Sequence, residues 1–342
     1  MYTFAKSTEL PNMLVLRKTP DNSEIRLEKT GKSGGESEIY GIVYPNYRDA
    51  EKYAAKIYRN EKFANAKEDK ILAMMNILKQ RLNVVSMADF VEMFLAVPRA
   101  RLYYADGSFA GFIMTSYFDQ QIISMEEFVE GKYRSYSEPN AWHAKIVVSS
   151  NLLRVCAVAH SLGMTLVDLN SRNLLVRKDG GVILIDVDSA QLNTGTKVFE
   201  PDAVLQTIAA PEILNSEPIT TKTDSFALGI MLYRIFMMGF SPFQFIGNDK
   251  DEREIGQIIL ACTSPLRDRS LRVPFGCPDL SILGPLEGII SRCIDPEPQK
   301  RPSLGEIHSV IEAMIHSRKH CKKGHMMPNH LNKCLTCGES TL

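Results

Sequence analysis

Three features of this 342-residue sequence predict an α+β chain of two lobes with a small metal-bound module at its C-terminal end. Short β-prone runs dominate residues 14–115, with one helix-period stretch among them. From about residue 140 long apolar helix patterns take over, and Cys321, Cys334 and Cys337 crowd the C-terminal end. A smaller strand-rich part followed by a larger helical part is a two-lobed arrangement, with the chemistry expected between the lobes.

Composition narrows the class. At 38.4 kDa the chain has room for two domains, and 44% apolar with 23% charged residues is the balance of a soluble globular protein. The 40 basic side chains offset the 40 acidic ones, which disfavours binding to nucleic acid or another polyanion through overall charge. The N-terminal stretch has no signal-peptide pattern. The longest apolar run, residues 230–240, is broken by Arg234 and falls short of the roughly 18 to 20 residues of a membrane span, so a cytoplasmic protein without a membrane anchor is expected.

The elements follow in order. Alternation marks strands at residues 14–16, 24–27 and 39–44, with a Gly/Ser turn before the third, and residues 53–58 form a fourth candidate. Between Glu61 and Leu82 the period changes to helical, with Ile71, Met74, Met75 and Leu78 on one face, and residues 109–117 return to strand. Residues 146–162 and 226–240 are apolar on nearly every side, which predicts buried helices. Between them, residues 173–176 and 182–185 flank Lys178-Asp179-Gly180-Gly181, a hairpin signal. Cys156, Cys262, Cys277 and Cys293 are scattered through helical stretches and read as buried thiols rather than a disulfide framework.

The stretch Asp168-Leu169-Asn170-Ser171-Arg172-Asn173, followed after the hairpin by Asp186-Val187-Asp188, places carboxylates and an amide at strand ends. A carboxylate to receive a hydroxyl proton, plus an Asn and an Asp as hard oxygen ligands for Mg²⁺, is what phosphoryl transfer requires. Each of these residues alone is also an ordinary turn former.

Here the sequence resembles the protein kinase family. Asp168, Leu169 and Asn173 match the catalytic-loop pattern at the family's spacing, and Asp186 falls on the Asp of the D-F-G element. Further matches appear in family order. Gly34-Gly35-Glu36-Ser37-Glu38-Ile39 resembles the glycine-rich loop, Ala54-Ala55-Lys56 resembles V-A-I-K, and Glu68 on the following helix is the expected partner of Lys56. Ala210-Pro211-Glu212 is an intact A-P-E, Asp224-Ser-Phe-Ala-Leu-Gly229 resembles D-x-W-S-x-G, and Lys300-Arg301-Pro302 supplies the arginine that pairs with Glu212. The resemblance covers residues 14–316, with an N-lobe of about 14–115, a C-lobe of about 116–316 and an extension at 1–13.

It implies a serine/threonine protein kinase using ATP and Mg²⁺. Gly34, Gly35, Ile39, Ala54 and Met114 would contact nucleotide, with the glycine N–H groups approaching its phosphates, and Lys56 would neutralise the phosphates. Asp168 would act on the substrate hydroxyl, Asn173 and Asp186 would hold Mg²⁺, and Glu212, Asp224 and Arg301 would be structural.

The departures are specific. Leu166-Val167 stand before Asp168, so no arginine is available there to bind an activation-segment phosphate, although Thr194, Thr196 and Thr207 lie in that segment. Asn170 replaces the family's lysine; an amide donates a hydrogen bond but supplies no charge. Lys32 and Ser37 stand at shifted glycine positions, and Asp188 replaces the D-F-G glycine, either as an extra metal ligand or as a turn cap.

These strings look like a bacterial branch often encoded with a PP2C-type phosphatase and a von Willebrand A-type protein, both candidate partners. Two other readings remain: an aminoglycoside-type small-molecule phosphotransferase, which lacks an A-P-E segment, and a pseudokinase scaffold that binds nucleotide and displays the tail.

In residues 317–342, Cys321, His325, Cys334 and Cys337 have the spacing of a tetrahedral zinc site resembling a zinc-ribbon knuckle, with His330 as the alternative fourth ligand. A module this small has no adequate core without its metal. Arg318, Lys319, Lys322, Lys323 and Lys333 against Glu339 give the tail a formal +4, which points to an acidic partner or the chain's own surface as its contact.

Overall fold

The computed structural model describes residues 10–44, 50–81, 90–118, 121–131, 142–202, 204–247 and 252–340, so most of the expected N-terminal extension lies outside the described residues. The chain divides into two compact units, an α+β arrangement. One holds the residues up to 119 together with 186–188 and 192–199; the other holds the remainder, including the C-terminal tail.

The first unit is a closed antiparallel barrel in the order β1-β2-β3-β4-β6-β5, built from β1 (Met13–Lys18), β2 (Ser23–Ser33), β3 (Ser37–Tyr44), β4 (Tyr53–Tyr58), β5 (Ala100–Tyr103) and β6 (Phe109–Thr115). Alternation decides what is inside: Leu14, Leu16, Ile25, Leu27, Tyr40, Ala55, Ile57 and Leu102 form its core. The opposite face of β4 carries Ala54 and Lys56. Register places Met114 beside Ala54, with Ile39 and Phe112 flanking Lys56, so these residues share one face. Closure through β1 and β5 removes the open sheet edge. Strand β5 is the element that alternation did not reveal: Ala-Arg-Leu-Tyr is short, and it is specified by its partners on both sides.

Helix α1 (Glu61–Arg81) buries Ile71, Met74 and Leu78 of the face the periodicity predicts, leaves Met75 half-buried, and buries Lys67 and Lys70 as well. No acidic or basic side chain is normally sealed this way without a partner.

In the second unit, helices α2 (Trp142–Ser161) and α3 (Thr221–Phe236) are buried along most of their length. Strands Leu174–Arg177 and Val182–Leu184 form the expected hairpin, Leu174 opposite Leu184, so Asn173 and Ile185 meet at its open end, where Ile185 N–H donates to Asn173 O at 2.9 Å. Among the described residues no helix is long and apolar enough to cross a membrane.

One buried charge in α2 has a stability consequence. Lys145 is 8% exposed and donates to Phe236 O at a long 3.4 Å; burial lowers its pKa to about 8. The folded-state value lies below the unfolded one, so the folded chain loses this proton first as pH rises. Stability therefore increases between about pH 8 and the unfolded value near pH 10.4. At neutral pH Lys145→Met is expected to raise the unfolding free energy by about 2 kcal/mol in denaturant titrations, a gain that shrinks as the pH passes 8.

Candidate active site and metal centre

Lys56 sits on β4 with its ammonium between two carboxylates, donating to Asp186 Oδ1 and Asp188 Oδ1 at 2.5 Å each. Burial alone would depress its pKa, but Asp188 and then Asp186 outweigh that and hold it raised. The carboxylates differ: the Asp186 side chain is 34% exposed, whereas that of Asp188 is 2% exposed. Burial raises the Asp186 pKa against the pull of Lys56. At Asp188 the same burial is overcome by Lys56 and Lys67, and the pKa falls. Tyr58 Oη donates to Asp188 Oδ2 at 2.8 Å, and Lys67 Nζ to the Asp188 carbonyl at 3.0 Å.

Two expectations change here. Glu68 does not pair with Lys56; its carboxylate accepts from Tyr103 Oη at 2.8 Å and lies 3.4 Å from Arg101 Nη1. The physical reason is helix phase: the buried stripe through Ile71, Met74 and Leu78 runs back to Lys67, leaving Glu68 on the flank. Asp188 is likewise no turn cap, because its two oxygens accept from Lys56 and Tyr58.

Gly34 and Gly35 lie in the turn between β2 and β3. Gly34 N–H closes that turn onto Ser37 O at 2.9 Å, so it is engaged within the hairpin instead of being free for an anion. Space beside Gly35 is open, with nothing within 4 Å of where a β-carbon would stand. Arg59, just beyond β4, anchors the turn by donating to Gly34 O at 3.2 Å and pairing with the buried Glu38.

In the second unit Asp168 Oδ2 accepts from Asn170 Nδ2 at 2.7 Å and from Asn173 Nδ2 at 3.2 Å. Asn170 Oδ1 in turn accepts from the Arg172 and Asn173 N–H groups, so this residue both shapes the loop and orients the carboxylate. Asn173, donating through Nδ2, turns Oδ1 the other way as a hard oxygen donor, the chemistry that suits Mg²⁺.

The backbone entering this loop is strained. Val167 has φ +61, and Asp168 N–H closes onto Leu166 O at 2.5 Å; a β-branched residue held there costs about 1–3 kcal/mol. Asp224, fully buried on α3, offsets it by accepting from Leu166 N–H at 2.9 Å and Val167 N–H at 2.7 Å. Each such charge-assisted bond contributes about 1.5–3 kcal/mol, so the clamp outweighs the strain. His160 on α2, not singled out from sequence, braces Asp224 at 2.6 Å.

Arg301 and Glu212 form a bidentate pair, two bonds of 2.7 Å with both side chains at most 1% exposed. The three remaining guanidinium donors reach the carbonyls of Asp295, Lys222 and Pro296, and the group lies 4.9 Å from the Phe226 ring centroid. Burial works against the Glu212 carboxylate, yet Arg301 keeps its pKa lowered.

The ligand atoms of Cys321, His325, Cys334 and Cys337 all lie within 4.8 Å of one another. A tetrahedral zinc ion, about 2.3 Å from sulfur and about 2.0 Å from nitrogen, implies S···S edges near ~3.8 Å and S···N edges near ~3.5 Å. Cys321 Sγ stands 3.8 Å from Cys337 Sγ and 3.5 Å from His325 Nδ1, so the residues present fit the ion. Gly324 and Gly338, at φ +80 and +71, make the tight turns that bring each ligand pair together. Burial opposes the Cys334 thiolate, but the backbone N–H groups of Cys337 and Thr336 outweigh it and bring its pKa down to about 7. His330 lies elsewhere, with Nε2 3.3 Å from Ile282 O.

The core around this cluster is Met327 with Cys321 and Cys334, backed by Leu331 and Cys337. Chelation is therefore expected to remove stoichiometric zinc and melt residues 317–340. Loss of their amide-exchange protection checks this; unchanged protection after complete zinc removal would contradict it.

An antiparallel barrel with a buried lysine on its fourth strand, an Asp-centred loop clamped from a buried helix and an Arg–Glu lock define a protein kinase domain. The chain belongs to that family: the family model described as protein kinase domain matches residues 28–313. The relatives it resembles include Protein kinase YegI of Escherichia coli O157:H7 and of Escherichia coli strain K12. Each is 27% identical over 326 residues, a match covering 89% of this chain and 47% of the relative. A plant relative, the Serine/threonine/tyrosine-protein kinase HT1 of Arabidopsis thaliana, is 24% identical over 296 residues, 86% of this chain and 67% of its own. The chain thus spans about half the length of the two YegI relatives.

Proposed function

We propose that the chain is an ATP-dependent protein kinase that phosphorylates serine or threonine hydroxyls, with Asp168 as the group that orients the hydroxyl and takes its proton. The observation that carries this reading is the Asp168 carboxylate, gripped on one oxygen by two side-chain amides in a loop held by Asp224. Fixing Oδ2 aims Oδ1 at the acceptor, and such preorganisation is the main lever in phosphoryl transfer. Lys56 offers its ammonium to the nucleotide phosphates. Ile39, Ala54 and Met114 offer an apolar face on the same side of the barrel for the base. Asn173 Oδ1 and the partly exposed Asp186 are the Mg²⁺ donors; when bound, the ion neutralises charge on the transferring phosphates.

Asn170 fixes geometry without adding charge, and Val167 offers no cation to an activation-segment phosphate, so control through that phosphate is not expected. The Arg301–Glu212 lock on the A-P-E segment favours a protein over an aminoglycoside as substrate. The knuckle binds zinc structurally, since four protein ligands leave no open position. The PP2C-type and von Willebrand A-type partners and a cytoplasmic setting belong to the same reading.

Phosphosite mass spectrometry of the chain and candidate substrates after incubation with Mg²⁺-ATP tests it. Phosphate on serine or threonine is expected. Phosphotyrosine alone would reassign specificity, and ATP turnover stimulated by an aminoglycoside without protein phosphorylation would reassign the substrate class.

A further inference from the structure

We infer that Asp188, not an acidic residue on helix α1, is the carboxylate that positions Lys56, and that Lys67 fastens α1 to it, a charge-reversed arrangement. All of the residues involved lie in one compact unit.

Lys56 needs a permanent counter-charge. A buried ammonium that is to meet phosphates must stay charged and stay in place, which takes a carboxylate that does not leave when a metal arrives. Asp186 does not meet that requirement, because it is about one-third exposed and is itself the expected metal ligand. Asp188 does. Its side chain is 2% exposed, one oxygen accepts from Lys56 at 2.5 Å, and the other accepts from Tyr58 Oη at 2.8 Å. With both oxygens accepting from protein donors and its side chain sealed from solvent, Asp188 serves Lys56, whereas the partly exposed Asp186 is open to a metal.

The helix side of the arrangement carries the opposite charge. Where an acidic residue is expected to face Lys56, the inward position on α1 is Lys67, 4% exposed, four residues before Ile71 on the buried stripe. An ammonium there would repel Lys56 unless a carboxylate stood between them. Lys67 Nζ donates to the Asp188 carbonyl at 3.0 Å, which ties the helix to the turn that holds Asp188. Glycine at 188 would take from Lys56 its most buried carboxylate, so Lys67 on the helix and Asp188 in the turn form a matched pair of departures.

The first test needs no nucleotide, so it stands apart from the proposed function on which the activity arm rests. Thermal unfolding of the full zinc-loaded chain is measured for Lys56→Met, Asp188→Asn, Glu68→Gln and the doubles of Lys56→Met with each of the other two. Non-additive Tm shifts are expected for Lys56 with Asp188 and additive ones for Lys56 with Glu68. The reverse pattern, or additivity in both cycles, overturns the inference.

The second test is kinetic rescue with Mg²⁺-ATP. Asp188→Gly and Lys67→Glu are each expected to lower kcat/KM by about 10²-fold, as displacement of a positioned group does. The double variant, which moves the acid onto the helix, is expected to regain at least about tenfold of that loss, a recovery that a purely structural role for either residue would not give. Glu68→Gln stays within about twofold of wild type, as expected for a partly exposed contact. A double variant no better than the worse single, or a Glu68→Gln loss as large as that of Asp188→Gly, overturns it. If the wild type neither binds nor turns over ATP, the proposed function fails while the unfolding cycles still decide the pairing.

Discussion

An Arg301→Met variant is expected to lose about 3–5 kcal/mol of stability, the cost of leaving a buried charge without its partner. Glu212 is 2% exposed and would be left buried without the guanidinium that holds it, while the carbonyls of Asp295, Lys222 and Pro296 would lose their donors. Methionine fills volume but donates nothing. Arg301→Lys recovers only part of the loss, since one ammonium cannot replace a planar fork that bonds five ways. The sign with pH is determined. The Glu212 pKa is lowered in the folded chain, so its contribution is present above the unfolded value near 4.3 and is lost as pH falls through the folded one. The measurement is a urea midpoint at constant slope, taken at pH 7 and again under acid; the gap between wild type and Arg301→Met is expected to narrow in acid.

The second large effect is chemical. Asp168→Asn is expected to lower phosphoryl transfer by about 10³-fold while leaving nucleotide affinity in place, the signature of a group that acts on the hydroxyl rather than on ATP. The substitution is conservative for the fold: an asparagine oxygen still accepts from Asn170 and Asn173, and the loop stays clamped by Asp224. Parallel loss of nucleotide binding would show that Asp168 supports the loop instead. Steady-state kinetics with equilibrium nucleotide binding on the same preparations separates the two.

The sequence exposed most of this architecture, for identifiable reasons. Alternation and helical period are local, so β1 to β4, the apolar helices and the Asp-Gly-Gly hairpin could be read directly. Strand β5 could not be, because four residues carry little pattern and its partners on β1 and β6 are distant in sequence. The Cys/His cluster was visible through its ligand pairs, while the choice of His325 over His330 needed geometry.

Glu68 lies off the inward face of α1, and the sequence carries the signal for this. Ile71, Met74 and Leu78 define a stripe whose earlier member is Lys67, so helix phase, not residue type, marks the inward position. Asp188 and Tyr58 were not legible as partners of Lys56, because that cluster joins β4 to a turn about 130 residues later. His160 was hidden for the same reason, being 64 residues from Asp224.

The direct measurement of phosphate transfer is intact-mass and radiolabel analysis of the full chain with Mg²⁺ and ATP labelled at its γ-phosphate. The predicted result is label on protein hydroxyls in the wild type, lost in Asp168→Asn with nucleotide still bound. Saturable Mg²⁺-ATP binding with no label on the chain or on any hydroxyl acceptor would contradict it and leave a nucleotide-binding scaffold.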